Sequence, residues 1–175
     1  MSTFLSLAII VLLFVVFCTL FFISAISDAK VRDKSAEELL KALPSNIANK
    51  WIVRYNVGRP QGKFLKMKTF QGSGVLYVED DEIKFEDIIG NENQIFELEN
   101  SKISWVENKI NGITNVFKIV DLDKAMFFYV DKGMPIVKTI DGNESTSELY
   151  SRLKTIKKAY KKAVKIKKAE LEDEV

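Results

Sequence analysis

No histidine occurs in the 175 residues, and cysteine occurs once. The first absence removes the commonest general base and zinc ligand; the second removes any disulfide framework or thiolate metal cluster. The single thiol, Cys18, lies within an uninterrupted apolar run from Phe4 to Ile26 and reads as an ordinary packing or lipid-facing residue. Side-chain charge is absent from residues 1–27. No internal repeat or low-complexity linker divides the remainder. Gly72-Ser73-Gly74 leads into a strand pattern rather than a helix, so it lacks the helix N-terminus of a phosphate cradle and reads as a turn or bulge. Asp80-Asp81-Glu82 and Asp121-Leu122-Asp123 lack the spaced oxygen ligands of a calcium loop and read as turns. The expectation is a non-catalytic chain with no cofactor and no metal.

What is present is a long apolar segment joined to a highly charged one. At 1.5 Å per residue, the run from Phe4 to Ile26 makes a helix of roughly 34 Å, enough for a hydrocarbon layer of about 30 Å. Ser6, Thr19 and Ser24 can return their hydroxyls to a carbonyl one turn back. The expected arrangement is a single-pass anchor over residues 1–27. Lys30, Arg32 and Lys34 follow the run while only the terminal amine precedes it, which places the N-terminus outside and the main domain in the cytoplasm. The alternative is a signal peptide cleaved after Ser27, releasing a secreted ligand-binding barrel; against it stand the missing basic n-region and the length of the run. The sequon Asn143-Glu144-Ser145 reads as a chance occurrence in a loop.

A basic juxtamembrane segment over residues 28–50 should contain a short helix. Ser35-Ala36-Glu37-Glu38 has the form of a capping box, and Pro44 stops the helix near Leu43. The side bearing Leu39, Leu40 and Leu43 should face the domain or the bilayer interface. From Trp51 the period becomes strand-like, with candidate strands near 51–57, 63–70, 74–79, 82–87, 94–99, 102–107, 116–121 and 125–130. Turns are expected at Gly58 to Gly62, Asp80-Asp81, Asn111-Gly112 and Asp121 to Asp123. Trp51, Trp105, Phe64 and Phe70 read as core rather than contact residues. A helix from about Thr146 to Lys168 carries a stripe of Leu149, Leu153, Ile156, Tyr160 and Ala163 or Val164. The fold class is therefore α+β, mainly β: a small seven-stranded antiparallel barrel or curled sandwich over residues 51–168, closed by a C-terminal amphipathic helix and followed by an acidic tail over 169–175.

The stretch from Gly74 to Phe85 resembles the central hairpin of pleckstrin-homology-like and GRAM-like domains, a Gly-led apolar strand that turns at acidic residues into a second strand ending in Phe. Lys102 to Glu107 resembles a later strand of those domains, and Val116 to Ile119 with Phe127 to Val130 resemble their last hairpin. The resemblance covers roughly residues 62–166. It implies a bent seven-stranded barrel capped by a helix, used for binding lipids, peptides or proteins. It also implies basic residues around the first hairpin for head-group contact, a place filled here by Arg59, Lys63, Lys66 and Lys68, although the loop Gln71 to Gly74 is neutral.

Charge is concentrated at the end of the chain. Residues 148–168 hold nine basic residues against one acid, and residues 169–175 hold four acids. Lys157, Lys158, Lys161, Lys162 and Lys165 could meet anionic lipid beside a tethered domain, or form a solvated face. Aromatic residues are too few among these lysines for nucleic-acid stacking. The expected partners are membrane lipid and a protein partner or second copy. The leading functional expectation is a membrane-anchored interaction or scaffolding module, an accessory subunit of a membrane assembly, with an anionic-lipid-binding domain as the alternative.

Overall fold

The computed structural model describes residues 2–58, 71–90, 92–107, 115–122, 124–130 and 144–173. The chain opens with one helix, α1 (Ser2–Ala42), of 41 residues. Within it, Ser6–Ser24 is long and apolar enough to cross a membrane, and none of that stretch is buried inside the protein. Thr19 Oγ1 donates to the Val15 carbonyl at 2.8 Å, so this hydroxyl is satisfied within the helix itself.

The separate short helix expected after the anchor does not exist, because α1 runs through it without a break. Ser35 stands inside the helix rather than capping it. The physical reason lies in residues 27–38, which contain neither Gly nor Pro, so nothing interrupts the backbone ladder. Ion pairs at one-turn spacing, Lys34 with Glu38 and Lys41 with Glu37, each 3.9 Å, add weak support. The end of the helix falls just before Pro44, as the sequence leads one to expect.

Among the described residues seven strands follow: β1 (Asn49–Val57), β2 (Gly72–Glu79), β3 (Glu82–Asp87), β4 (Gln94–Glu97), β5 (Lys102–Val106), β6 (Val116–Asp121) and β7 (Lys124–Tyr129), then α2 (Thr146–Asp173). They form one antiparallel sheet in the order β4-β3-β2-β1-β7-β6-β5. The expected strand at 63–70 lies outside the described residues, as do the Asn111-Gly112 turn, Phe64 and Phe70. Gly72-Ser73-Gly74 is not a turn but the start of β2. Asp80, at φ 54°, opens the two-residue turn between β2 and β3, and Leu122, at φ 51°, lies in the turn after β6. α2 extends to Asp173, so most of the expected acidic tail is helical.

Among the described residues the sheet curls but does not close, since β4 and β5 are its two edges. Its curvature is visible in the rings inside it. Phe128 of β7 lies 6.4 Å from Phe96 of β4 and 5.3 Å from Phe85 of β3, centroid to centroid, although three and two strands separate these elements. Alternating side chains send Trp51, Val53 and Tyr55 of β1 into this concave core with Leu76, Ile83, Phe85, Phe96, Phe117, Ile119, Met126 and Phe128. Leu149 and Leu153 of α2 are fully buried against the same core, with Ile156 and Tyr160 half-buried beyond them. Trp105 is also half-buried and stacks near Tyr150, centroids 5.3 Å apart.

The opposite face of β1 and β2 receives α1. Ile47, Val75 and Tyr77 are buried there against Leu39, Leu40, Leu43 and Ile52. Lys50 Nζ donates to the Leu40 carbonyl at 3.3 Å, near the orphan C-terminal acceptors of the helix. One end of α1 is therefore part of the domain, while its other end leaves the domain altogether.

Candidate functional site

A capping box stands at Ser145. Its backbone N–H donates to Glu148 Oε2 at 2.6 Å, and the Glu148 N–H donates to Ser145 Oγ at 3.4 Å. Next to it, the Val130 N–H donates to Thr146 Oγ1 at 3.1 Å, tying the chain after β7 to the first turn of α2. This anchoring fixes the rotation of α2. Leu149 and Leu153 turn inward, and the residues one turn on present lysines to the link between β4 and β5.

Lys157 crosses to that link. Its ammonium donates to the carbonyls of Leu98, Glu99 and Ser101, the last two at 3.1 and 2.6 Å. Three backbone acceptors that no strand uses are satisfied by one side chain. Burial, and then the charge of Lys161, lower the pKa of this ammonium below that of an ordinary lysine; Asp121 and Glu99 act in the other direction. Lys157 thus serves as a strut between helix and sheet edge. Lys157→Met should cost about 2 kcal/mol of stability by orphaning these carbonyls. Pulse proteolysis of the full chain in urea and mild detergent measures it, and an unmoved midpoint would show that the strut carries nothing.

Beside the strut a cleft of about 470 Å³ opens between α2 and the start of β5. Asn100, Ser101, Lys102 and Ile103 form one wall; Lys154, Lys157, Lys158 and Lys161 form the other. Lys154 lies 5.3 Å from the Tyr150 ring centroid, a cation–π distance. Lys158 and Lys161 are exposed.

Of the basic residues singled out in the sequence, Lys157, Lys158 and Lys161 meet in this cleft. Lys162 and Lys165 are exposed further along α2, outside it. Arg59, Lys63, Lys66 and Lys68 lie outside the described residues. Lys30 and Lys34 are exposed on α1 beyond Ser24, with Arg32 half-exposed between them. Sequence reasoning missed Asn100, Ser101, Lys102 and Ile103, because only the curl of the sheet brings the end of β4 and the start of β5 under α2. Lys154 carried a signal, its spacing of three, four and seven residues from the other cleft lysines.

An antiparallel seven-stranded sheet with a helix at each end of the chain is the class of fold defined here. No protein-family model matches the sequence, and no curated protein matches it. Among solved structures, it is similar to the crystal structure of the pleckstrin homology domain of ArhGAP27, with a TM-score of 0.38 and 13% identity over 61% of this chain and 94% of that one.

Proposed function

We propose that this chain is a single-pass membrane protein whose sheet domain is an interaction module, acting as an accessory subunit of a membrane assembly. The observation that carries the reading is the helical stretch Ser6–Ser24, strongly apolar, uncharged and, among the described residues, not buried by any other part of the protein. Its sixteen apolar side chains need lipid or a protein partner around them. Lys30, Arg32 and Lys34 directly after the stretch favour a cytoplasmic domain. The bond after Ser27 lies within α1, and the same helix ends packed against β1 and β2, which supports an anchor retained with its domain over a cleaved leader. The module is read as pleckstrin-homology-like from its strand pattern and terminal helix. No catalytic role is proposed.

The experiment is purification of the full-length protein, tagged at its C-terminus, from gently solubilised membranes, with mass spectrometry of its own N-terminus and of everything bound. An intact N-terminal segment together with a stoichiometric membrane partner is the expected result. Recovery of a chain starting at Asp28 would remove the anchor, and an intact chain that is always a lone monomer would remove the subunit reading. A second reading, an anionic-lipid-binding domain, is favoured by the exposed lysines of α2, which stand on the charged face of a helix already tied to a tethered domain. It requires binding to acidic vesicles that weakens with salt.

A further inference from the structure

We propose that the cleft between α2 and the β4–β5 link is a discrete binding site for a phosphate group, either a free phosphoester or the head group of a phospholipid. The proposal does not depend on the tether, since the cleft is built from the domain alone.

Four lysines at positions i, i+3, i+4 and i+7 put four like charges on two turns of one helix face, with Lys102 across from them. Lys154 with Lys158 and Lys157 with Lys161 are pairs at one-turn spacing, which repel. Among the described residues, no carboxylate lies within ion-pair distance of Lys154, Lys157, Lys158 or Lys161, while carboxylates elsewhere pair with Lys34, Lys41, Lys84 and Arg152. Glu99 and Asp121 reach Lys157 only as more distant charges.

The second observation is independent of the lysines. Ser101 is only 2% exposed, and its Oγ has no hydrogen-bond partner. Buried hydroxyls are normally paired, so an unpaired one on a residue that lines a basic cleft points to a ligand oxygen. Its carbonyl is held by the Lys157 ammonium at 2.6 Å, which fixes the position of the residue. An acceptor-rich, compact dianion suits this set best: lysine ammoniums act as point charges, and several of them on one wall are matched more fully by a dianionic phosphate than by a singly charged carboxylate. At about 470 Å³ the space exceeds a phosphate, leaving room beside Ile103 and the lysine stems for part of the body that bears it.

The test uses the full chain in nanodiscs of neutral phosphatidylcholine, titrated by calorimetry with inorganic pyrophosphate at low salt. Vesicles containing a phosphatidylinositol phosphate are then added in a separate flotation assay. Lys158→Gln with Lys161→Gln should weaken binding at least about tenfold, and Ser101→Ala about threefold. Lys165→Gln with Lys167→Gln removes the same charge outside the cleft and should change affinity by less than about twofold. Saturable pyrophosphate binding with this ranking supports a free phosphoester. Vesicle binding with this ranking and no response to pyrophosphate supports a lipid head group. Equal losses in the two double variants, or no binding to either probe, overturns the site. Ser101→Ala keeps all charges, so it separates a built site from a basic surface even if the lysine variants misfold.

Discussion

Gly74→Ala is expected to destabilise the domain by about 3–5 kcal/mol, the upper end for a single methyl group. Gly74 lies in β2, between Val53 of β1 and Asp87 of β3. A Cβ built there would stand 2.2 Å from the Glu86 carbonyl oxygen and 2.5 Å from the Phe85 ring. The first of these is backbone, so relief requires β2 and β3 to separate and to lose ladder hydrogen bonds near the middle of the sheet. The ring is no freer: Phe85 packs between Tyr55 at 4.7 Å and Phe128 at 5.3 Å, centroid to centroid. Gly72→Ala is the comparison, because the atoms nearest its Cβ would all belong to the Tyr55 side chain, the first at 2.7 Å, and not to backbone. A urea series on the full chain in mild detergent should rank Gly74→Ala well below Gly72→Ala, and equal midpoints would refute the close approach as the cause.

Phe128→Ala should cost a similar amount, about 3–5 kcal/mol, for the opposite reason. Its ring is fully buried and touches Phe85, Phe96 and Phe117, the last at 5.6 Å between centroids. These partners belong to β3, β4 and β6, so the side chain is where the two wings of the curled sheet meet. Removing it leaves a cavity that no single strand can fill without flattening the curl. Against a total stability of roughly 5–15 kcal/mol, the loss brings a domain of this size near its threshold. Phe128→Leu keeps much of the volume and should lose only about 1 kcal/mol. The same urea series checks both, and a tolerated alanine would mean that the wings are held by α2 rather than by this ring.

The strands were legible where alternation was strict. In β1, Trp51, Val53 and Tyr55 point one way and Ile52 the other, and the sequence shows that period directly. The Gly-Ser-Gly stretch misled because its composition signals a turn; the glycines instead permit close packing, a demand made by Glu86 and Phe85 from another strand. The pattern Ser-x-x-Glu occurs at Ser35 and at Ser145, yet only the second is a cap. Locally the two look alike. The difference lies upstream, since residues preceding Ser35 already propagate a helix that started at Ser2, and a helix in progress has no free amides for a serine to satisfy. The lysines of α2 were visible as a charged run, but their division into a strut, a cleft wall and an outer face depends on the rotation fixed at Thr146 and on the β4–β5 link beneath them. Ser101 carried no signal at all, because its burial is a tertiary fact.

The unbroken α1 also fixes a phase. From Ser24 to Ala36, the first of the described residues of α1 to be buried, there are 12 residues, a rise of about 18 Å and a rotation of about 100° at each step. The domain therefore faces a set direction around the axis of the apolar stretch, as a flag faces from its pole. Adding or deleting one residue in this stretch would swing the sheet and its cleft by more than a quarter turn while changing their height by only about 1.5 Å, whereas seven residues would nearly restore the bearing at a height about 10 Å greater. Any neighbour that grips both the apolar stretch and the domain must match that bearing, so the sequence length between residues 24 and 36 encodes a direction as well as a distance.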